Sequence, residues 1–196
     1  MNSVSANGFL KQVTKYIPRK FIKKMSTDED ITEVEKEIDQ ALPYDFKEFY
    51  KVLNDKVNLV MGFTAILPED VHFIIKQTKK INDEVLYHLD ILNQGYIKDE
   101  YYNRGRLPFA HDQNGSFIMI DFEPGAKGKV GQIIGFDSDY DKIFLISDSI
   151  QEFLYLIIDC FKTADLVYRY KDNKEVVEWK HGHFFDRYLS YKEAKE

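Results

Sequence analysis

Two carboxylates near the middle of the chain have the spacing of a catalytic pair. Asp121 and Glu123 stand two residues apart in a predicted strand, so their side chains would point to the same face. Two carboxylates beside one cleft can act as general acid and general base, as in many hydrolases. The sequence alone shows no such cleft, and we expect Asp121 instead to order the end of the strand and the turn that follows.

A short acidic run, residues 137–141, resembles the start of a calcium-binding loop. Its first, third and fifth positions are aspartates, and Asp148 falls at the twelfth position. The sixth position is Lys142, however, where such a loop needs glycine for its sharp turn. The pattern therefore favours a charged hairpin tip that contacts a partner.

Three further patterns of reactive residue types are incomplete. Residues 125–131 are rich in glycine and lysine, but their spacing differs from that of a phosphate-binding loop, and a strand rather than a helix follows. His181 and His183 lack a carboxylate or cysteine at ligand spacing. Residues 111–116 contain the His, Asp and Ser of a hydrolytic triad, but on one hairpin and without a nucleophile elbow. The sequence predicts a protein that is not an enzyme and holds neither metal nor cofactor.

The charge of the chain is unevenly distributed. The formal charge is −6, but residues 1–26 carry six basic side chains and no acidic ones, which leaves −12 on residues 27–196. Phosphate backbones are bound by Lys and Arg, so an acidic body disfavours nucleic acid as a direct ligand. The composition favours a basic protein as the partner, and it leaves the oligomeric state open.

Cysteine content and hydropathy indicate the cellular compartment. The chain has one cysteine, Cys160, so we expect no disulfide framework and no cysteine-based metal site. No stretch reaches the roughly 18 apolar residues of a membrane span. The first residues also lack the apolar core and cleavage site of a signal peptide. We therefore expect a cytoplasmic protein.

Apolar residues at helical spacing predict helices on both sides of the central region. Residues 31–42 and 46–53 each carry such a stripe, with a proline step between them. Residues 149–161 form the strongest helical pattern, and Ser149 with Glu152 matches a capping box at its start.

The basic N-terminal segment, residues 9–25, alternates apolar residues with lysines. Pro18 interrupts any single helix through it. One interpretation is a basic helix that binds a membrane surface or a partner. The other, which we prefer, is a terminal helical arm packed on the body of the protein.

Apolar runs bounded by turn residues predict an antiparallel sheet. The runs are residues 107–110, 117–122, 130–136 and 143–146. Asn114-Gly115 is the strongest hairpin signal, because both positions of a two-residue turn need positive φ. Residues 166–179 indicate an added hairpin. The predicted fold class is α+β: a twisted, mostly antiparallel sheet flanked by N-terminal helices and a C-terminal helix.

The order of these elements resembles the SUKH superfamily, in particular the branch named for the fungal Smi/Knr cell-wall regulators. The likeness runs from about residue 31 to residue 161. It rests on residues that match the family's helix step, sheet and final helix, namely Leu42, Pro43, Pro108, Asn114, Gly115, Asp121, Gly131 and Ser147. One departure is visible: the second helix of the family usually ends in asparagine-glycine, whereas Asn54 is followed by Asp55 here.

The resemblance also implies a division of the chain. A SUKH-like domain is expected over residues 27–164. A basic N-terminal arm, residues 1–26, precedes it, and an extension of a hairpin and a helix, residues 165–196, follows it. Both flanking segments exceed a minimal domain of the family, so the resemblance assigns them no role.

The resemblance implies a non-catalytic protein-binding domain. Bacterial members of the superfamily are immunity proteins that neutralise secreted polymorphic toxins, often nucleases, and this is our main hypothesis. A regulatory scaffold of the fungal type is the alternative, and a hydrolase that uses the strand carboxylates is a third. For the partner surface we expect acidic residues and tyrosines: Asp121, Glu123, Asp137, Asp139, Tyr140, Asp141, Tyr101 and Tyr102.

Overall fold

Most helices of the described chain lie before or after the central strands of its main sheet. The computed structural model describes residues 2–53, 56–72, 75–76, 90–100, 103, 105–171, 173–180 and 182–193. The helices are α1 (Ala6–Val13), α2 (Asp28–Ile38), α3 (Tyr44–Tyr50), α4 (Ile150–Lys162) and α5 (Phe184–Glu193). Residues 68–72 and 75–76 are also helical, and Arg19–Phe21 form a 3₁₀ turn.

The strands of the described chain form two sheets. They are β1 (Thr64–Ala65), β2 (Asp90–Ile91), β3 (Arg106–His111), β4 (Phe117–Asp121), β5 (Gln132–Asp137), β6 (Lys142–Ser147), β7 (Leu166–Lys171) and β8 (Lys174–Trp179). The main sheet has the order β1-β3-β4-β5-β6-β2, and β7 pairs with β8. Strand β2 runs parallel to β6, and the other pairs are antiparallel. This architecture confirms the predicted α+β class.

Side chains at the helix starts satisfy backbone N–H groups that the helices themselves leave unpaired. Thr27 Oγ1 accepts a hydrogen bond from Asp30 N at 3.2 Å, and the Asp30 carboxylate accepts one from Thr27 N at 2.7 Å. Ser149 Oγ accepts from Glu152 N at 3.3 Å, as predicted. The Glu152 carboxylate, however, accepts from Asp148 N rather than Ser149 N, at 3.1 Å. At the start of α4, one bond of the expected capping box is therefore present, and the other is shifted by one residue along the chain.

One phenylalanine joins the sheet to two helices. Phe109 lies on β3, is fully buried, and contacts Phe46 of α3 with ring centroids 5.3 Å apart. It also contacts Phe49 of α3 at 6.4 Å and Phe153 of α4 at 5.9 Å. All three contacts are edge-to-face, the geometry in which the positive edge of one ring meets the negative face of another. These helices and β3 therefore pack around a single aromatic side chain.

Both segments that flank the central region contribute to the same hydrophobic core. In the N-terminal segment, Phe9 of α1 is fully buried and packs edge-to-face on Phe49 at 5.4 Å. In the C-terminal segment, Val177 of β8 and Phe185 of α5 are fully buried in that core. An ion pair between Lys20 and Glu175 links the two segments. The N-terminal segment is thus packed on the body, while the expected boundaries at residues 26 and 164 stay predictions.

Two local predictions within the sheet are wrong. The turn between β3 and β4 spans five residues rather than two, and its positive φ values occur at Gln113 (72°) and Gly115 (107°). The Asp112 carboxylate accepts hydrogen bonds from Asn114 N and Ser116 N, which supports this longer loop. Val130 was expected in a strand, but it precedes β5 and is 70% exposed.

Replacing Phe109 by alanine should destabilise the protein by about 3 to 5 kcal/mol, the usual cost of deleting a buried aromatic ring. Phe109→Leu keeps apolar volume and should cost less. Val130→Ala, at an exposed site, should change the free energy of unfolding by at most about 0.5 kcal/mol. Chemical denaturation of the three variants measures these differences. Equal losses for Phe109→Ala and Val130→Ala would contradict the assigned core.

Candidate functional site

Asp121 ends strand β4 inside the protein. Its side chain is fully buried. One carboxylate oxygen accepts a hydrogen bond from Glu123 N at 3.1 Å, and the other accepts one from Gln132 Nε2 at 3.0 Å. Gln132 also donates to Tyr96 O at 2.9 Å. The carboxylate therefore ties the end of β4 to the first residue of β5, and it lies too deep to contact a partner.

Arg106 places a second buried charge beside Asp121. The two residues are directly opposite in the pairing of β3 with β4, and Arg106 Nε lies 3.9 Å from Asp121 Oδ1. The guanidinium also donates to the carbonyl oxygens of Lys98 and Glu100. Burial raises the pKa of the Asp121 carboxyl above its usual 3.8, and the charge of Arg106 acts in the opposite direction. Arg106 and Asp121 together form a buried polar cluster at one end of the sheet.

Glu123 does not share a face with Asp121, so this prediction is wrong. Strand β4 ends at Asp121, and Glu123 lies in the turn beyond it, where strand alternation no longer applies. Its side chain is exposed and pairs with Lys98 at 2.9 Å. The two carboxylates therefore do not form the acid and base pair that a hydrolase would need.

Two other residues that carry the resemblance, Gly131 and Ser147, lie next to the start of β5 and at the end of β6. Gly131 N donates to Asp121 O at 2.7 Å, and Gly131 has a φ of 85°. A Cβ atom at Gly131 would lie 3.9 Å from Pro43 Cγ, so the turn before β5 lies against the Leu42-Pro43 step. Ser147 ends β6, and its hydroxyl donates to Ser149 O at 3.0 Å. These residues have structural roles within the fold.

Pro108 lies within β3, opposite Met119 of β4. The pairing of the two strands shifts between Pro108 and Ala110, which marks a β-bulge. Proline has no backbone N–H to donate to the ladder, and bulges are among the few places where a sheet accepts it. Pro108 therefore serves the shape of the strand.

The opposite end of the sheet carries two turns that are held together. We call residues 112–116 and 137–141 the tip. Ser138 Oγ donates to Asn114 O at 3.1 Å and also lies 3.1 Å from Ser116 Oγ, while Ser138 N donates to Ser116 Oγ at 3.2 Å. Because these bonds bridge the two turns, the tip is a braced surface rather than two independent loops.

Within the acidic run of the tip, the side chains differ in exposure. Asp137 is only 4% exposed, and its carboxylate accepts a hydrogen bond from Asp139 N at 3.0 Å. Asp139 and Tyr140 are exposed, Tyr140 by 61%, and Asp141 is partly exposed with a φ of 49°. Of the predicted partner residues, Asp139, Tyr140 and Asp141 thus reach solvent together, whereas Asp137 braces the turn.

The remaining predicted residues lie elsewhere. Tyr101 and Tyr102 are outside the residues that the structure describes. The triad suggested by residues 111–116 is not assembled there, because Ser116 Oγ bonds to Ser138. In the described chain, no group of three His, Cys, Asp or Glu side chains is placed to hold a metal ion.

A groove of about 600 Å³ adjoins the tip, between the β3–β4 turn and strand β8. Its lining includes Lys171, Lys174 and Glu178, so charges of both signs meet there. His183 Nε2 lies 3.8 Å from an oxygen of Asp112 at the edge of the groove. His181 lies outside the described residues. The mixed charge of this groove favours neither a cation nor an anion as its ligand.

Sequence reasoning missed Arg106 and the role of Gln132 as a partner of Asp121. Arg106 directly precedes the apolar run of β3, and Gln132 opens the apolar run of β5. The sequence does show each of them as a polar residue at the start of a predicted buried strand. It does not show which residue each one contacts, because that depends on the strand register, which pairs Arg106 with Asp121 and Asp121 with Gln132.

No helix among the described residues combines the length and the apolar character that crossing a bilayer requires.

Asp121→Asn should remove a contribution to stability that decreases as the pH rises. A raised pKa means that the folded state binds this proton more tightly than the unfolded state does, so ionisation of wild-type Asp121 lowers the free energy of unfolding as the pH rises above 3.8. The wild-type value minus the Asp121→Asn value should therefore fall as pH increases through this range. Denaturation at several pH values measures it, with exposed Glu123→Gln as the control. A difference that is flat or rises with pH would contradict the assignment.

Comparison with known proteins gives the chain a family. The model of the SMI1 / KNR4 family (SUKH-1) matches residues 25–156. The KNR4/SMI1 homolog 2 of Debaryomyces hansenii is 38% identical over 76 residues, which are 39% of this chain and 13% of that protein. The glucan synthesis regulatory protein of Neurospora crassa is 32% identical over 76 residues, 39% of this chain and 14% of that protein. The cell wall biosynthesis/cell cycle regulator smi1 of Schizosaccharomyces pombe is 24% identical over 154 residues, 67% of this chain and 30% of that protein.

The matches thus cover less than a third of each of these relatives. Two of the three relatives are named as regulators, and no name among the three mentions a toxin or immunity. The comparisons therefore favour the fungal regulatory alternative over the bacterial immunity interpretation. Both interpretations rest on the same resemblance, and the comparisons confirm it: the chain belongs to the SMI1 / KNR4 family (SUKH-1).

Proposed function

We propose that the chain is a non-catalytic, protein-binding domain with a regulatory role. The observation that carries this proposal is the family match over residues 25–156, since relatives in that family are named as regulators of the cell wall and of glucan synthesis. A domain of this kind acts by holding another protein, so its exposed surface matters more than any reactive group.

The geometry supports a binding role because two of the carboxylates that the sequence analysis singled out hold the fold. Asp121 is buried and hydrogen bonded to Gln132, and Asp137 is buried and hydrogen bonded to Asp139 N. A general base must reach the substrate proton that it removes. Neither of these carboxylates is open to a substrate in this fold.

The tip is the proposed partner surface. Tyr140 is well exposed, and Lys142 Nζ lies 5.4 Å from the centre of its ring. Tyrosine is a common anchor of protein interfaces because it offers a large, stiff contact area with a polar end. Asp139 and Asp141 add negative charge beside it, which would attract a basic partner and speed association. Bracing by Ser138 lowers the entropy that ordering the tip would cost on binding.

An immunity protein is the second candidate function. The observation that favours it is the formal charge of −12 on residues 27–196. A nuclease toxin carries a basic cleft for nucleic acid, and an acidic surface could cover that cleft. Under this reading the tip would bind the toxin rather than a regulated protein.

Changing the tip should abolish capture of the partner. The full chain is immobilised, and proteins bound from a lysate of its source organism are compared for wild type and for the double variant Asp139→Lys/Tyr140→Ala. Partners of the tip should be retained by wild type and lost by the variant. With a purified partner, the variant should bind at least about tenfold more weakly, because it removes an anchor and reverses a charge.

Glu33→Lys is the matched control, since it makes the same charge change at an exposed site on α2, outside the tip. It should retain the partner. Both altered proteins should keep the unfolding midpoint of wild type, because the changed side chains are exposed. An identical set of captured proteins for all three would overturn the tip as the partner surface.

Co-expression separates the two candidate functions. If the chain is an immunity protein, a captured partner should kill a host cell when it is expressed alone, and co-expression of the chain should restore growth. If the chain is regulatory, the partner should be harmless alone. Rescue by wild type that fails with Asp139→Lys/Tyr140→Ala would decide for immunity through the tip.

A further inference from the structure

Two adjoining cavities form a groove between helices α4 and α5, and no residue of the tip lines either of them. Their volumes are about 350 and 250 Å³, and both are lined by Leu156, Asp159 and Tyr188. We call this surface the α4–α5 groove. A combined space of this order lies within the range of sites that hold small ligands or several side chains of a partner.

The floor of the α4–α5 groove is apolar. It is formed by Leu145, Ile146, Leu156, Cys160, Trp179 and Phe184 together with the ring of Tyr188. Trp179 packs edge-to-face on Phe184 at 5.2 Å, and Phe184 lies 5.3 Å from Tyr188. Large apolar and aromatic side chains that line a concave surface give a partner's apolar side chains a place to lose contact with water.

The rim of the same groove is acidic. Its charged side chains are Asp148, Glu152, Asp159 and Asp165, and no lysine, arginine or histidine of the described chain lines either cavity. The carboxylate of Asp159 has no hydrogen bond or ion pair with any described residue. The charged side chains around the apolar floor are therefore all negative, whereas charges of both signs line the groove beside the tip.

Two lysines stand close to this rim and define its limits. Lys129 Nζ lies 2.7 Å from a carboxylate oxygen of Asp148, and Lys162 Nζ lies 5.2 Å from the ring centre of Tyr155. The positive charges of both lysines weaken the negative electrostatic potential at the outer edge of the groove. Asp159 lines both cavities, so changing its charge alters the electrostatic potential in both of them.

The α4–α5 groove is held open by hydrogen bonds. The hydroxyl of Tyr188 donates to Ile146 O at 2.6 Å and lies 3.2 Å from Leu145 O, which fixes α5 against the end of β6. Because α5 is tied in this way, the groove exists before any ligand arrives. A preformed site avoids the free-energy cost of ordering on binding.

From this geometry we propose that the α4–α5 groove binds a basic, amphipathic segment of a partner protein. Its apolar side chains enter the floor, and its lysines or arginines pair with the rim. The proposal rests on the proposed function as a protein-binding domain and adds a second contact surface to it. Charge complementarity selects the occupant, since an acidic or purely apolar segment would desolvate the Asp159 carboxylate without pairing it.

The chain's own basic N-terminal segment is not the occupant. Its apolar residues Phe9, Val13 and Ile17 are already buried in the core of the same molecule. Tyr16 of that segment stacks on Phe161 of α4 at 5.1 Å. A second copy would have to unpack this segment before it could insert it into the groove.

Much of the groove lies outside the part of the chain that matches the family. Trp179, Phe184 and Tyr188 follow residue 156, where the match ends. The groove therefore depends on this chain's C-terminal segment as well as on the matched domain, and it would select partners that a minimal domain of the family does not.

A displayed library of random 12-residue peptides, selected against the full chain, tests the proposal. Selected peptides should combine lysine or arginine with leucine, phenylalanine or tryptophan. Their affinity, measured by fluorescence anisotropy of one labelled peptide, should weaken as the salt concentration rises, because exposed charges are screened. Asp159→Lys should weaken this peptide at least about tenfold. Leu156→Ala should also weaken binding of the peptide, because it removes apolar contact area from the floor of the groove.

Asp139→Lys is the matched control, because it makes the same charge change in the tip, and it should bind the peptide as wild type does. Asp159 lies near the C-terminal end of α4, where a lysine suits the helix dipole, so Asp159→Lys should fold normally. Peptides without basic residues, no selected peptide, or equal binding to Asp159→Lys would overturn the proposal. Self-association that Leu156→Ala abolishes would also overturn it in favour of a second copy.

The two proposals fail in different ways. If Asp159→Lys binds the peptide normally while the tip variant loses its captured partner, only the groove is wrong. If the peptide depends on Asp159 while the tip variant keeps every captured protein, the groove stands and the tip is wrong. If neither surface captures a protein or a peptide, the proposed binding function itself is wrong.

Discussion

A buried carboxylate must have its hydrogen bonds supplied by the protein, and at Asp121 this requirement constrains the three strands at the centre of the main sheet. Its neighbours are Arg106 on β3 and Gln132 on β5, each directly opposite it in the strand pairing. A shift of either pairing by one residue would turn the polar neighbour to the other face and leave the carboxylate unpaired in an apolar interior. The order and register of three strands thus follow from one polar cluster.

The packing on this sheet explains why the flanking segments are part of the molecule rather than attachments to it. Phe109 links β3 to α3 and α4, and Phe9 of α1 extends the same aromatic cluster. Near the β6 edge of the sheet, and in the same core, Phe185 of α5 packs edge-to-face on Phe144 of β6 at 5.0 Å. Helices from the two ends of the chain therefore share one core, and α5 acquires the position that forms the groove.

Sequence periodicity was sufficient for the features that depend on near neighbours. The helical stripes, the Ser149 cap and the four central strands each follow from residues a few positions apart. It failed where distant segments meet: the parallel pairing of β2 with β6, the burial of Asp137, and the bond between Ser138 and Asn114. The floor and rim of the α4–α5 groove come from β6, α4, β8 and α5, so no local pattern could have indicated it.

The short edge strands of the main sheet have a further consequence. Strands β1 and β2 are two residues long each, and they pair with only two residues of β3 and of β6, respectively, at the two edges of the sheet. An added strand needs a long row of unpaired backbone groups, which such edges do not offer. In the small sheet, β7 carries Arg169 and Lys171, charges that discourage stacking of one chain on another. These edges therefore disfavour growth by strand addition, so a protein partner of the kind proposed would be held by side chains.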